Sequence, residues 1–203
     1  FSLAVAARRA GAEVVINRHV PDQLDALRAA FQEALASADA VITSGGVSMG
    51  DRDLVKALLG QLAEVHFQRV FMKPGKPLNF ATAGKTLLFG LPGNPVSCLV
   101  GFQLFVRPAL QRMQLAEAET LPRLPVVLGH DVQTSDRIEY QRATVTAQAD
   151  GTLVATVNGS QQSARLMSFV GSNAFLVTPP GDDVLPAGST LEAILLSAPA
   201  ART

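Results

Sequence analysis

Two carboxylates, Asp51 and Asp53, close a Ser/Gly stretch reading Val41-Ile-Thr-Ser-Gly-Gly-Val-Ser-Met-Gly-Asp-Arg-Asp53. An apolar strand runs into a loop whose Gly45, Gly46 and Gly50 can take positive φ and let backbone N–H groups approach an anion. Phosphate is commonly held at the mouth of such a strand–loop–helix unit. The plainer account is a tight turn in which Asp51 caps the helix and Asp53 sits well against its dipole. On this stretch alone both accounts stand. Lys73-Pro-Gly-Lys76-Pro77 presents two ammonium groups on a loop stiffened by two prolines, an arrangement suited to phosphate or another oxyanion. Two solvated lysines on a surface turn is the alternative there. In Gly90-Leu-Pro-Gly-Asn-Pro-Val-Ser97, Asn94 is placed to cap a helix and Pro95 is preset for its first position. That leaves N–H groups and the Ser97 hydroxyl facing whatever lies beyond the strand end.

Other constellations carry less. His19, His66 and His130 are far apart and have no cysteine partner, so they read as surface or strand-edge residues rather than a zinc site. Cys98 lies in an apolar run with no neighbouring base and reads as a small core residue. Gly84-Lys85-Thr86 imitates the end of a P-loop, but position 79 is Asn where the motif needs Gly, and the segment continues as a strand. It reads as a hairpin turn.

The elements that must position these residues follow from periodicity. Residues 1–10 predict a helix stopped by Gly11, and Val14, Val15 and Ile16 a short buried strand. Leu24, Leu27, Phe31 and Leu35 recur at helical spacing. Strands are expected at 38–43, 65–72, 78–81 and 85–91, and helices at 51–60 and 95–106. Strands alternating with helices predict a three-layer α/β/α domain with a mostly parallel sheet, which binds ligands at the carboxyl ends of its strands. Residues 113–125 are charged and Pro-containing, as linkers are. Beyond them helical periodicity disappears. Ala143, Val145 and Ala147 alternate with polar neighbours, Asp150-Gly151 reads as a hairpin turn, and three further Gly turns punctuate short strands. The domains expected are 1–112 (α/β), 113–123 (linker) and 124–203 (a small all-β barrel).

Composition bounds the partners. Lys plus Arg equals Asp plus Glu at 17 each, so no global field draws the chain to nucleic acid or an anionic membrane. A single cysteine fits a reducing, cytoplasmic setting. Residues 86–106 carry no charge, but Pro92-Gly-Asn-Pro95 interrupts them, so they read as a buried strand, a turn and a buried helix rather than a membrane span. The chain opens at Phe1 without a Met or a signal-peptide pattern, and is expected to be a fragment or a processed product.

Thr43-Ser-Gly-Gly-Val-Ser-Met-Gly-Asp-Arg-Asp53, Met72-Lys-Pro-Gly-Lys-Pro77 and Gly90-Leu-Pro-Gly-Asn-Pro-Val-Ser97, in this order and at this spacing, resemble the MoeA family of molybdopterin molybdenumtransferases, which includes the gephyrin E domain. The resemblance covers nearly the whole chain. It implies that adenylylated molybdopterin binds across the strand ends, that molybdate is inserted into its dithiolene, and that AMP leaves with Mg2+ assisting. On that reading Asp53 holds the metal or orients the attacking oxygen, with Asp51 and Asp22 supplementing it. Ser44, Gly45, Gly46 and Ser48 cradle phosphate, while Lys73 and Lys76, followed by Pro77, offset the charge of molybdate and phosphates together with Ser97. Asn94 belongs to the same substrate-binding set, and Arg69 is a further cation. Arg137-Ile-Glu-Tyr-Gln-Arg142 and Ser160-Gln-Gln-Ser163 resemble family segments that face the cleft, which makes Arg137 and Ser163 candidates for completing an oxyanion pocket.

The resemblance also implies a preceding strand with a Thr-Gly-Asp-Glu-like loop, and two N-terminal domains through which the full-length protein forms a homodimer. Alternatives from other classes are a non-catalytic pterin- or nucleotide-binding or partner-docking module, and a molybdopterin adenylyltransferase-like domain.

Overall fold

A computed structural model describes residues 2–46, 54–114, 121–162 and 164–201. The chain divides into two compact units, 1–70 with 75–119 and 71–74 with 120–203.

In the first unit α1 (Ser2–Arg9) ends at Gly11, whose φ of 86° a side chain would resist. A Cβ at position 11 would stand 2.5 Å from Gln114 Oε1, so the end of the Gln114 side chain would have to move aside. Gln114 Nε2 donates to Ala10 O and Leu110 O, both at 3.0 Å, and so ties the first helix to the last. Residues 14–16 are not a strand. Val15 is 54% exposed, and no neighbour among the described residues supplies the ladder that an apolar run needs to become one.

Helix α2 (Leu24–Ser37) leads into β1 (Ala40–Ser44), and α3 (Leu54–Leu62) into β2 (Glu64–Arg69). A two-residue strand, β3 (Met72–Lys73), belongs to the second unit. β4 (Pro77–Ala83) and β5 (Thr86–Leu91) then complete a sheet ordered β1-β5-β4-β2. Only β1–β5 is parallel. β5–β4 and β4–β2 are antiparallel, so the sheet is mixed where the alternation of elements predicts a mostly parallel one. Gly84-Lys85 accounts for the difference, since a two-residue connection can join only antiparallel strands.

Leu27 and Phe31 of α2 and Val55, Leu58 and Leu59 of α3 pack with Ala81 and Leu88 on one face of this sheet. The other face carries Phe67, Phe80 and Phe89, with Phe105 6.4 Å from Phe67 between ring centroids. That face is covered by α4 (Pro95–Gly101), a π-helical turn (Phe102–Val106) and α5 (Arg107–Met113). The wide turn falls just before Pro108, which has no N–H to donate and whose ring would crowd the carbonyl four residues earlier in a regular α-turn. The result is the α/β/α sandwich expected.

The second unit is a barrel. β6 (Arg123–Leu128), β8 (Ile138–Ala147), β9 (Leu153–Val157), β10 (Ala174–Thr178) and β12 (Thr190–Leu195) pair in the ring β10-β12-β6-β9-β8, and β8 closes it on β10. β3 pairs in parallel with the start of β8 (Met72 with Ile138, Lys73 with Glu139), and β13 (Ala200–Ala201) with its end. β7 (Val132–Gln133) and β11 (Val184–Leu185) form a separate ribbon. Four alanines, 143, 155, 174 and 193, with Val126, Leu128, Val145 and Leu176 fill the narrow interior. The β8–β9 hairpin turns at Gly151, at φ 86°, as Asp150-Gly151 predicts.

Asn173 is one of the buried polar residues of this unit. It is 8% exposed, accepts from Val145 N (2.7 Å), and donates to Val145 O (2.9 Å) and Ala198 O (3.2 Å). Asn173→Ala would leave two buried backbone groups without partners, and is expected to lower unfolding stability by about 2–4 kcal/mol in urea titration.

Candidate functional site

In the first unit the predicted residues converge on one edge of the sheet. Parallel pairing sets Ser44 level with Leu91, so the loops after β1 and β5 leave side by side. Gly45 N–H donates to Leu91 O (3.0 Å), and Gly45 and Gly46 take φ of 88° and 67°. A Cβ on Gly93 would meet Gly45 Cα at 3.5 Å, so the two loops run almost in contact. Cys98 Sγ donates to Ser44 Oγ at 3.5 Å and joins the loop after β1 to α4. Burial raises the Cys98 thiol pKa, with the Ser44 contact opposing this, so the thiol stays protonated at neutral pH.

Pro95 occupies the first turn of α4, and Ser97 is buried at 3% exposure. Asn94 holds the N-cap position in extended conformation and accepts through its backbone oxygen from Cys98 N (2.9 Å), but its side chain makes no capping bond. Antiparallel β4 starts at the edge where β5 ends. Pro77 is therefore at that edge, opposite Arg69 at the end of β2, and half-buried Lys76 precedes it. Ser44, Gly45, Gly46, Ser97, Lys76, Pro77 and Arg69 thus share one rim. Just inside it, Thr43 and Asn79 stand in register on either side of Gly90, and Thr43 Oγ1 and Asn79 Nδ2 are buried without a hydrogen-bond partner.

The strand expected at 65–72 does not run through. β2 is bulged twice and ends at Arg69, and Val70 N–H donates to Lys76 O (3.0 Å), closing the first unit across the excursion. Residues 71–74 cross to the barrel, so Arg69 and Lys73 lie on different strands.

In the barrel unit Lys73 Nζ lies 3.3 Å from Glu139 Oε2, a carboxylate 4% exposed. Arg142, with no exposed surface, also feels Glu139, although desolvation dominates and lowers its pKa. Arg142 Nε donates to Ser168 Oγ (3.0 Å) and Nη2 to Ser160 O (3.3 Å), while Nη1 is without a partner. Gln161 binds the Arg142 backbone at both N–H (2.8 Å) and O (3.2 Å), fastening the loop after β9 to β8. Arg137 is gripped by the Asp136 carboxylate through two nitrogens, and its Cζ lies 5.5 Å from the centroid of the Phe71 ring.

Ser48, Asp51, Asp53 and Ser163 lie outside the described residues. Asp22 is exposed in a tight turn closed by Gln23 N–H on Pro21 O (2.7 Å). Among the described residues no group of three or more His, Cys, Asp or Glu side chains could hold a metal ion. No described helix is long and apolar enough to cross a membrane. Glu139, Asp136 and Phe71 went unnoticed in the sequence. The alternation through 137–142 puts Glu139 on the same face as Arg137, but which strand lies beside them is a tertiary matter.

The fold and site define a two-domain protein, an α/β/α sheet with a glycine-lined rim at its strand ends followed by a closed barrel. Residues 2–112 match the family described as "Probable molybdopterin binding domain", and residues 126–196 match the "MoeA C-terminal region (domain IV)". The chain belongs to the MoeA family. It is 40% identical over 201 residues to gephyrin of Dictyostelium discoideum, covering 87% of this chain and 28% of that protein. It is 38% identical to the molybdopterin molybdenumtransferase of Bacillus subtilis (strain 168), covering 92% and 44%. The solved molybdopterin biosynthesis MoeA protein from Pyrococcus horikosii superposes with a TM-score of 0.77 at 26% identity, covering 97% of this chain and 47% of that one. The chain therefore spans less than half the length of these relatives.

Two outcomes follow from the geometry. Glu139→Gln removes the Lys73 ion pair and the carboxylate charge that reaches buried Arg142, and is expected to cost about 1–3 kcal/mol in denaturant titration. Cys98 should react with a thiol reagent far more slowly in the folded chain than in urea at the same pH, because burial disfavours its thiolate.

Proposed function

We propose that the complete gene product inserts molybdenum from molybdate into adenylylated molybdopterin and releases AMP. The observation that carries this reading is the convergence of the Ser44–Gly46 turn, the Ser97 helix start and Lys76 on one rim of the sheet. Its N–H groups, hydroxyls and ammonium suit a diphosphate and a tetrahedral oxyanion. The relatives named molybdopterin molybdenumtransferase support the same reading.

The step balances without an external reductant. Two sulfur–molybdenum bonds form, and the two thiol protons leave with one molybdate oxygen as water. A water then cleaves the phosphoanhydride to AMP and a phosphate monoester, and molybdenum stays hexavalent throughout. In this chain Ser44, Gly45, Gly46 and Ser48 hold the phosphates, while Lys76 and Lys73 offset charge on the two anions. Lys73 must exchange Glu139 for the ligand to do so. Arg137 and Ser163 complete the oxyanion pocket on our reading, and Asn94, Pro77, Arg69 and Asp22 border the substrate. Mg2+, assigned to Asp53 and Asp51 from the sequence pattern, would offset charge at the anhydride when bound. A cytoplasmic homodimer is part of the same proposal, checked by light scattering.

AMP release from adenylylated molybdopterin, with molybdate and Mg2+ present, tests the reading. Asp53→Ala and Lys76→Ala are each expected to slow release by about 10²- to 10³-fold. Release by the wild type that is indifferent to Asp53→Ala, or no release at all, would overturn it and leave a binding or docking module.

A further inference from the structure

Phe71 is 63% exposed, and among the described residues it is the only aromatic side chain in the set of exposed large apolar groups. Its surroundings are built by register. β3 runs parallel to β8 with Met72 beside Ile138 and Lys73 beside Glu139, so Phe71 comes level with Arg137 one step earlier. Met72 between them is buried, at 2% exposure, while Phe71 and Lys73 stay exposed on the side of β3 that faces the same way as Arg137 and Glu139. On that face Arg137 lies over the ring and is itself held by Asp136, which fixes the cation where it is. The next layer is Lys73 with Glu139 at 3.3 Å. An exposed ring, backed on one side by a fixed guanidinium and followed at side-chain spacing by an ammonium, is built like a receptor for a planar ring that carries a phosphate.

We infer that Phe71 is a stacking platform for the heteroaromatic ring of a phosphate-bearing ligand, with Lys73 meeting the phosphate by exchanging it for Glu139. The ligand's identity, a nucleotide or adenylylated pterin, rests on the function proposed above. The platform itself rests only on residues of the barrel unit. The two ion pairs leave this face nearly neutral, so the ring supplies affinity that charge alone does not.

The chain has no tryptophan, which makes Phe71→Trp its sole indole reporter. Titrating the Phe71→Trp protein with AMP should quench the indole, while ribose 5-phosphate, which has the phosphate but no base, should not. In calorimetry Phe71→Leu should bind AMP about five- to fifty-fold more weakly than wild type, with ribose 5-phosphate affinity unchanged. Because Phe71 is exposed, neither variant should shift the melting temperature, and this is checked first. AMP affinity within two-fold of wild type in Phe71→Leu, equal quenching by both ligands, or no AMP binding to wild type would each overturn the platform. Quenching by AMP and weakened binding in Phe71→Leu, together with no AMP release in the functional assay, would keep the platform and remove the transferase reading. Normal release with unchanged AMP affinity in Phe71→Leu would do the reverse.

Discussion

The parallel pairing of β1 with β5 is the constraint on which the rim depends. It sets Ser44 level with Leu91, and the bond from Gly45 N–H to Leu91 O carries the ladder one residue past the end of β1. Two loops then start side by side; the positive φ of 88° is what suits glycine to position 45, while a Cβ on Gly93 would make ordinary contact with Gly45 Cα. The height of α4 above the sheet is set in the same way. At Gly101 an added Cβ would come within 3.2 Å of both Leu78 and Leu91, so the helix lies close on the strands and holds Ser97 and Cys98 against the rim. The Cys98–Ser44 contact is a consequence of that approach.

The barrel unit shows a different economy. Glu139 is buried and ion-paired with the partly exposed Lys73, and its charge also reaches the fully buried Arg142. Arg142 in turn organises the loop after β9 through Ser160, Gln161 and Ser168. Arg137 is occupied by Asp136 and Phe71. Lys73 and Arg137 are therefore each engaged by a carboxylate, and an oxyanion binding to either would have to displace it. That favours exchange over simple capture, and it makes selectivity depend on how well the ligand replaces the displaced partner.

Much of the architecture was legible along the chain. Gly11, Gly84 and Asp150-Gly151 end elements where the backbone needs positive φ or a tight turn, and the change from helical to period-two spacing near residue 125 marks the passage from sandwich to barrel. The rim residues could be read as well, because Gly45, Gly46, Asn94, Pro95 and Lys76 stand next to strand ends that local patterns already announce. The less legible points are the strand that 14–16 did not become, the mixed sheet, and the break after Arg69.

Residue types and their spacing by themselves determined the two-part fold and the glycine turns, since these depend on backbone freedom and on periodicities of two and 3.6 residues. Tertiary structure alone decided which partners the charges take. That Lys73 leaves the sheet for the barrel, that it meets Glu139, and that Phe71 lies beneath Arg137 all follow from the register of β3 on β8, two strands 65 residues or more apart in sequence. Strand pairing at that distance is chosen by the packing of the whole unit, and no local pattern encodes it.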